Sequence, residues 1–109
     1  YLPQAKVYNG SCALGPGIQI AAPDALRDIP IHIEITRHGE TIYAGEASTS
    51  QMKRAFEELA AYLYRELDFP HGAFLMTGTC LVPPDNFTLQ SGDVVTIAVG
   101  SLVLENRVQ

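Results

Sequence analysis

Between residues 31 and 36 the chain alternates strictly, with Ile31, Ile33 and Ile35 apolar and His32, Glu34 and Thr36 polar. That period of two predicts a strand with one buried face. His38-Gly39 follows at once and predicts a tight hairpin turn, because glycine adopts positive φ freely and histidine tolerates it better than most residues. A return strand is expected over residues 41–44. A different period then begins. Met52, Phe56, Leu59, Leu63 and Leu67 recur at helical spacing, while Lys53, Arg54, Glu57, Glu58 and Arg65 fall mostly off their face. The pattern predicts one long helix over about residues 50–67, capped by Thr49 or Ser50, with Met52, Phe56, Leu59 and Leu63 packed on the sheet. It ends before Phe69-Pro70-His71-Gly72, since the residue preceding a proline avoids helical geometry.

The run Ala73-Phe74-Leu75-Met76 is continuously apolar and reads as a strand buried on both faces, with Thr77-Gly78-Thr79 at its C-terminal end. A proline-rich loop follows over residues 81–86. Ser91-Gly92-Asp93 turns the chain into a strand over 94–99, and Gly100-Ser101 turns it back into a strand over 102–104. Before the first strand, Asn9-Gly10 and Gly15-Pro16-Gly17 are turn signals, and a short apolar stretch at 18–22 leads to Pro23 and a polar connection to Pro30. The sum is strand-dominated with one long helix, an α+β or mainly β fold.

Composition narrows the function. The 109 residues amount to one small domain or part of one, and nearly half are hydrophobic. The net charge is −5 and the basic residues are scattered, which argues against a nucleic-acid surface. No apolar run approaches the roughly 20 residues of a membrane helix, and no leader is visible at the Tyr1-Leu2-Pro3 start. Cys12 and Cys80 have no paired zinc spacing; a disulfide between them is open but unforced, and the preferred reading is two small, partly buried thiols in a reducing cytosol.

No self-contained active site stands out. There is no Glu-x-Glu and no His-x-x-x-His pair, and Glu57-Glu58 are helical neighbours that cannot chelate one ion together. His32, His38 and His71 fall on a strand exterior and in turns, and Ser11, Cys12 and Ser91 have no base that the sequence can name as partner. Two features rise above this background. Lys6 is a lone cation ahead of Asn9-Gly10-Ser11, where a cation can stabilise a developing oxyanion. In Thr77-Gly78-Thr79, glycine lets a ligand approach the backbone and the hydroxyls can bind a carboxylate or carbonyl oxygen. Taken alone, Lys6 reads better as an ordinary exposed lysine, and a strand end with two satisfied threonines explains Thr77-Gly78-Thr79 equally well.

Three blocks add weight. Gln4-Ala5-Lys6-Val7-Tyr8 with Gly10-Ser11-Cys12 and Leu14-Gly15-Pro16, then Leu75-Met76-Thr77-Gly78-Thr79 with Val82-Pro83-Pro84 and Phe87-Thr88-Leu89, then Gly92-Asp93-Val94-Val95 through Leu104-Glu105-Asn106-Arg107-Val108, keep the order of the fumarylacetoacetate hydrolase family. The chain resembles the C-terminal portion of that family's catalytic domain from end to end, and its opening is most similar to 2-keto-3-deoxy sugar acid dehydratases. The acylpyruvate and fumarylacetoacetate C–C hydrolases are the second reading within the family.

The resemblance implies a mixed β-roll and magnesium or another divalent cation held by a Glu-x-Glu pair and an Asp upstream of residue 1. It also implies a small-molecule 2-oxo acid or 1,3-dicarbonyl substrate, a cytoplasmic homodimer, and contact with the upstream part of the same chain, with no nucleic acid and no membrane as partner. Lys6 matches the active-site lysine near the metal, and Gly78 and Thr79 match the residues that hold substrate oxygens. Cys80 stands where the family has a small residue, often glycine. A rival reading from another class is a non-catalytic β-rich assembly or binding module. Residues 1–109 alone are expected to be inactive and to bind magnesium weakly or not at all, for lack of clustered carboxylates. Tight stoichiometric binding in a calorimetric titration would reveal a site hidden from the sequence.

Overall fold

In the computed structural model, residues 7–109 are described. Four strands form one antiparallel sheet: β1 (Pro30–Arg37), β2 (Glu40–Ser48), β3 (Val94–Val99) and β4 (Leu102–Arg107), in the order β2-β1-β3-β4. The two hairpins meet through β1 and β3, with Ile33 opposite Ile97 and Ile35 opposite Val95. The β1–β2 turn is the predicted one. His38 and Gly39 take φ of 51° and 81°, and positive φ at both central residues is the turn whose twist matches antiparallel strands. The return strand is longer than residues 41–44, because β1 offers partners as far as Pro30, opposite Ser48. A bulge beside Ile35/Thr36 leaves Ile42 as the extra residue.

Residues paired across an antiparallel ladder share a face. One face therefore carries Ile31, Ile33 and Ile35, flanked by Tyr43, Gly45 and Ala47 on β2, and by Val95, Ile97, Val99, Leu102 and Leu104 on the other side. The opposite face is more polar, with His32 beside Glu46 at 3.7 Å and Thr41 donating to Glu34. The centre of the apolar face holds Ile35, 3% exposed and the one fully buried apolar residue among those described.

The helix departs from its predicted length. Ser48 accepts from the Ser50 amide at 3.1 Å while its own amide donates to Gln51 Oε1 at 2.9 Å, a capping box that commits Thr49–Gln51 to a 3-10 turn. Thr49 tightens this corner, accepting from the Ile29 amide at 2.8 Å and donating to the Leu26 carbonyl at 2.6 Å. Met52 is then extended, and α1 runs only over Phe56–Leu63. Phe56, Leu59 and Leu63 are its half-buried side, as the spacing implies, with Met52 half-buried ahead of it, but none is fully buried, the expected packing of the helix on the sheet is marginal, and Leu67 lies beyond the helix, 61% exposed. Glu57 and Glu58 meet Arg27 and Arg54 at the surface.

The expected strand at residues 73–76 does not form. The segment joins no ladder, and Phe74 and Met76 are 67% and 72% exposed. Apolar character alone does not make a strand: a ladder partner is required, and the segment pairs with neither of the sheet's open edges, β2 and β4. The apolar stretch at 18–22 is likewise exposed and irregular, and Cys12 and Cys80 are exposed free thiols rather than partly buried ones. No helix among the described residues is long and apolar enough to cross a membrane.

The ends of β1 and β3 are tied by an ion pair that the sequence did not signal. Arg37 Nε donates to Asp93 Oδ1 at 2.7 Å and Nη2 to Oδ2 at 2.8 Å, and the Gln90 amide also donates to Oδ2 at 2.8 Å. Asp93 is 1% exposed. The Arg37 hydrogen bonds, helped by the Gln90 amide and opposed by desolvation, hold its carboxyl down at about 2. A carboxyl depressed in the folded state contributes stability above its unfolded value, and that contribution is lost as pH falls through the folded one. Stability of the protein should therefore decline between about pH 4 and about pH 2, and Asp93→Asn should flatten that limb. Parallel acid limbs in melts of the two proteins would refute the assignment. In denaturant melts, Ile35→Ala should cost about 2–5 kcal/mol, and Leu59→Ala, only half-buried, should fall below about 2 kcal/mol.

Candidate functional site

The long connection from α1 to β3 carries Gly78 and Thr79, and its ends are held differently. Residues 71–80 are exposed throughout. From residue 81 onward three side chains, Leu81, Pro83 and Phe87, are half-buried. Leu81 reaches the apolar face of the β1–β2 hairpin at Gly45. Phe87 stacks obliquely on Tyr43, with ring centroids 6.2 Å apart. Further on, the Thr88 carbonyl accepts from Arg37 Nη2 at 3.0 Å, and the Gln90 amide is the one bonded to Asp93. The Arg37–Asp93 pair thus grips the C-terminal end of the segment that bears the candidate residues.

Gly78 has φ of 90°, a conformation that strains any residue with a Cβ, and nothing lies within 4 Å of where a Cβ would stand. Its backbone is therefore open to an approaching ligand. Thr79 Oγ1 accepts from the Leu81 amide at 3.1 Å, a local side-chain turn. The hydroxyl hydrogen has only a long contact, 3.4 Å, to the Leu81 carbonyl. An incoming carboxylate or carbonyl oxygen can compete for it. Thr77 is exposed and belongs to no strand end, so the expected delivery of Thr77-Gly78-Thr79 by a buried strand is replaced by a loop docked on the hairpin. Lys6 lies outside the described residues.

Two concavities occur elsewhere. One, of about 390 Å³, lies at the turn end of the sheet between Arg37, His38, Gln90, Asp93 and Arg107, where the arginine fork is already committed to Asp93. The other, of about 360 Å³, lies between Arg27, Met52, Arg54 and Phe56. Neither includes Gly78 or Thr79. Among the described residues no three His, Cys, Asp or Glu side chains come together in a group that could hold a metal ion. Sequence reasoning missed Gly45 and the Arg37–Asp93 pair. Asp93 stands out only as the end of a turn, and its partner lies 56 residues away.

The chain is matched from residue 2 to residue 109 by the family model described as fumarylacetoacetate (FAA) hydrolase C-terminal. It is 40% identical to a probable 2-keto-3-deoxyxylonate dehydratase of Haloferax volcanii, over 99% of this chain and 38% of that protein. It is 36% identical to a 2-dehydro-3-deoxy-D-arabinonate dehydratase of Saccharolobus solfataricus, over 94% of this chain and 35% of that protein. Its structure is similar to that of a 2-keto-3-deoxy-D-arabinonate dehydratase complexed with magnesium and 2,5-dioxopentanoate, with a TM-score of 0.90 at 36% identity, over all of this chain and 40% of that one. The chain thus spans little more than a third of the length of the relatives it matches.

Proposed function

The chain belongs to the fumarylacetoacetate hydrolase family, and from that premise we propose that it is the C-terminal portion of a single catalytic domain, in a divalent-metal-dependent 2-keto-3-deoxy sugar acid dehydratase. The observation that carries this reading is the end-to-end similarity to two such dehydratases at 40% and 36% identity. A C–C hydrolase of the acylpyruvate type shares the family but not the names of these relatives. The full domain would be the family's mixed β-roll, of which this sheet and helix are a part.

The described residues do not by themselves fit a magnesium ion, since they bring no cluster of carboxylates together. In the proposed enzyme those ligands come from upstream residues. Magnesium would supply Lewis acidity toward the substrate's 2-oxo acid group. Within this chain, Gly78 offers unhindered backbone and Thr79 a hydroxyl hydrogen, and together they anchor substrate oxygens. Dehydration removes a proton from C3 and expels a hydroxyl from C4, with negative charge developing on the 2-oxo oxygen. Lys6 is assigned to stabilise that charge. The exposed Ile18, Ile20, Phe74 and Met76 support contact with the upstream part of the chain and with a second subunit of a homodimer. The free, exposed Cys12 and Cys80 support a reducing, cytoplasmic setting.

With magnesium, the full-length protein should convert 2-keto-3-deoxy pentonic acids. Release of pyruvate from an acylpyruvate instead, with no dehydration, would select the hydrolase reading. Lys6→Met should lower turnover on the order of 100- to 1000-fold, the usual loss when one oxyanion donor is removed. Thr79→Ala should raise KM at least as much as it lowers kcat, because its contact exists in both ground and transition states. Wild-type kinetics in both variants would remove these assignments.

A further inference from the structure

We propose that Gly45, in the middle of β2, is a positioning residue for the Gly78-Thr79 contact: its missing side chain is the seat that admits Leu81 onto the sheet. The inference rests on the reading of Thr79 as a substrate contact.

Glycine inside a strand weakens it and often marks close approach by another segment. At Gly45 the reason is legible. Its φ is not positive, unlike that of Gly39, Gly78 or Gly92, so the position does not use glycine for backbone freedom. A Cβ there would lie 3.2 Å from Leu81 Cδ2, 3.2 Å from the Tyr43 hydroxyl and 3.5 Å from Ile33 Cγ2. The space is already filled, and Leu81 is what fills it from outside the sheet.

Leu81 is also the residue whose amide is bonded to Thr79 Oγ1 at 3.1 Å. The depth to which Leu81 sinks on the hairpin therefore sets where the Thr79 hydroxyl stands. Residues 71–80 ahead of it are all exposed, so Leu81 is the first anchor that the segment meets after Gly78 and Thr79. Phe87 on Tyr43 and Thr88 on Arg37 hold the far end of the loop, but only the Gly45 seat lies within two residues of Thr79. A Cβ at Gly45 makes the Leu81 or Tyr43 side chain give by a few tenths of an ångström, and a larger side chain pushes Leu81 further, straining the short link to Thr79 and shifting the hydroxyl. Misplacement of about 1 Å in a binding or catalytic group can cost on the order of 100-fold.

The test uses the full-length enzyme with magnesium and a 2-keto-3-deoxy pentonic acid. Gly45→Val should raise KM about tenfold or more with a smaller change in kcat, in the manner of Thr79→Ala. Hydrogen exchange at the Leu81 amide should accelerate while the β1, β3 and β4 amides keep their protection. Gly45→Ala should show the same change more weakly, and in a Leu81→Ala background its effect on KM should shrink, because the contact to Leu81 is gone and only the one to the Tyr43 hydroxyl remains tight. If Thr79→Ala raises KM but Gly45→Val and Gly45→Ala leave both KM and Leu81 exchange unchanged, the seat is refuted. If Gly45→Val does not fold, Gly45→Ala and its coupling to Leu81→Ala decide the matter. Should Thr79→Ala leave KM unchanged, the substrate-contact reading falls, and the positioning role of Gly45 falls with it.

Discussion

The bidentate pair between Arg37 and Asp93 is the constraint on which the rest of the arrangement hangs. A carboxylate with 1% exposure is tolerable only if its oxygens are fully partnered. Here one oxygen takes Arg37 Nε, and the other takes Arg37 Nη2 and the Gln90 amide. The planar guanidinium fits this demand as a lysine could not. No buried side-chain nitrogen or oxygen among the described residues lacks a partner. Removing either member leaves a buried charge uncompensated, which is far worse than losing an exposed pair. Because Arg37 also holds the Thr88 carbonyl, one ion pair joins three things: the end of β1, the start of β3 and the exit of the long connecting segment.

That junction matters because the apolar core is thin. One face of the sheet collects the isoleucines of β1 and the valines and leucines of β3 and β4, yet only Ile35 is fully buried. The helix adds a half-buried side rather than a second closed layer. Large apolar side chains such as Ile18, Ile20, Phe74 and Met76 face outward. A chain with this surface gains stability by burying it against further protein. The proposed larger catalytic domain would supply that cover.

The candidate site has the same logic at smaller scale. Gly78 and Thr79 stand on an exposed loop, and a loop places a ligand-binding group well only when a rigid scaffold holds it. The hairpin provides the scaffold, through Leu81 at Gly45, Phe87 at Tyr43 and the backbone of residues 88–90 at the Arg37–Asp93 pair. In the proposed enzyme, affinity for a substrate oxygen would then depend on residues that never touch it.

By itself the sequence determined whatever is local. The alternation at residues 31–36, the His38-Gly39 turn and the Gly100-Ser101 turn specify both hairpins, because strand period and positive-φ turns are written in neighbouring residues. The ordered motif blocks were enough to place the chain in its family. Tertiary structure decided the rest. The helix start moved to Phe56 because Thr49 is hydrogen-bonded to a corner with Ile29 and Leu26 and Ser48 caps the short 3-10 turn at Thr49–Gln51 instead. The apolar run at 73–76 stayed out of the sheet because hydrophobicity cannot supply a ladder partner. Arg37 found Asp93, and Gly45 found Leu81, across 56 and 36 residues of chain. Neither pairing has a periodicity or spacing to announce it, since each exists only once the strands have folded back on one another.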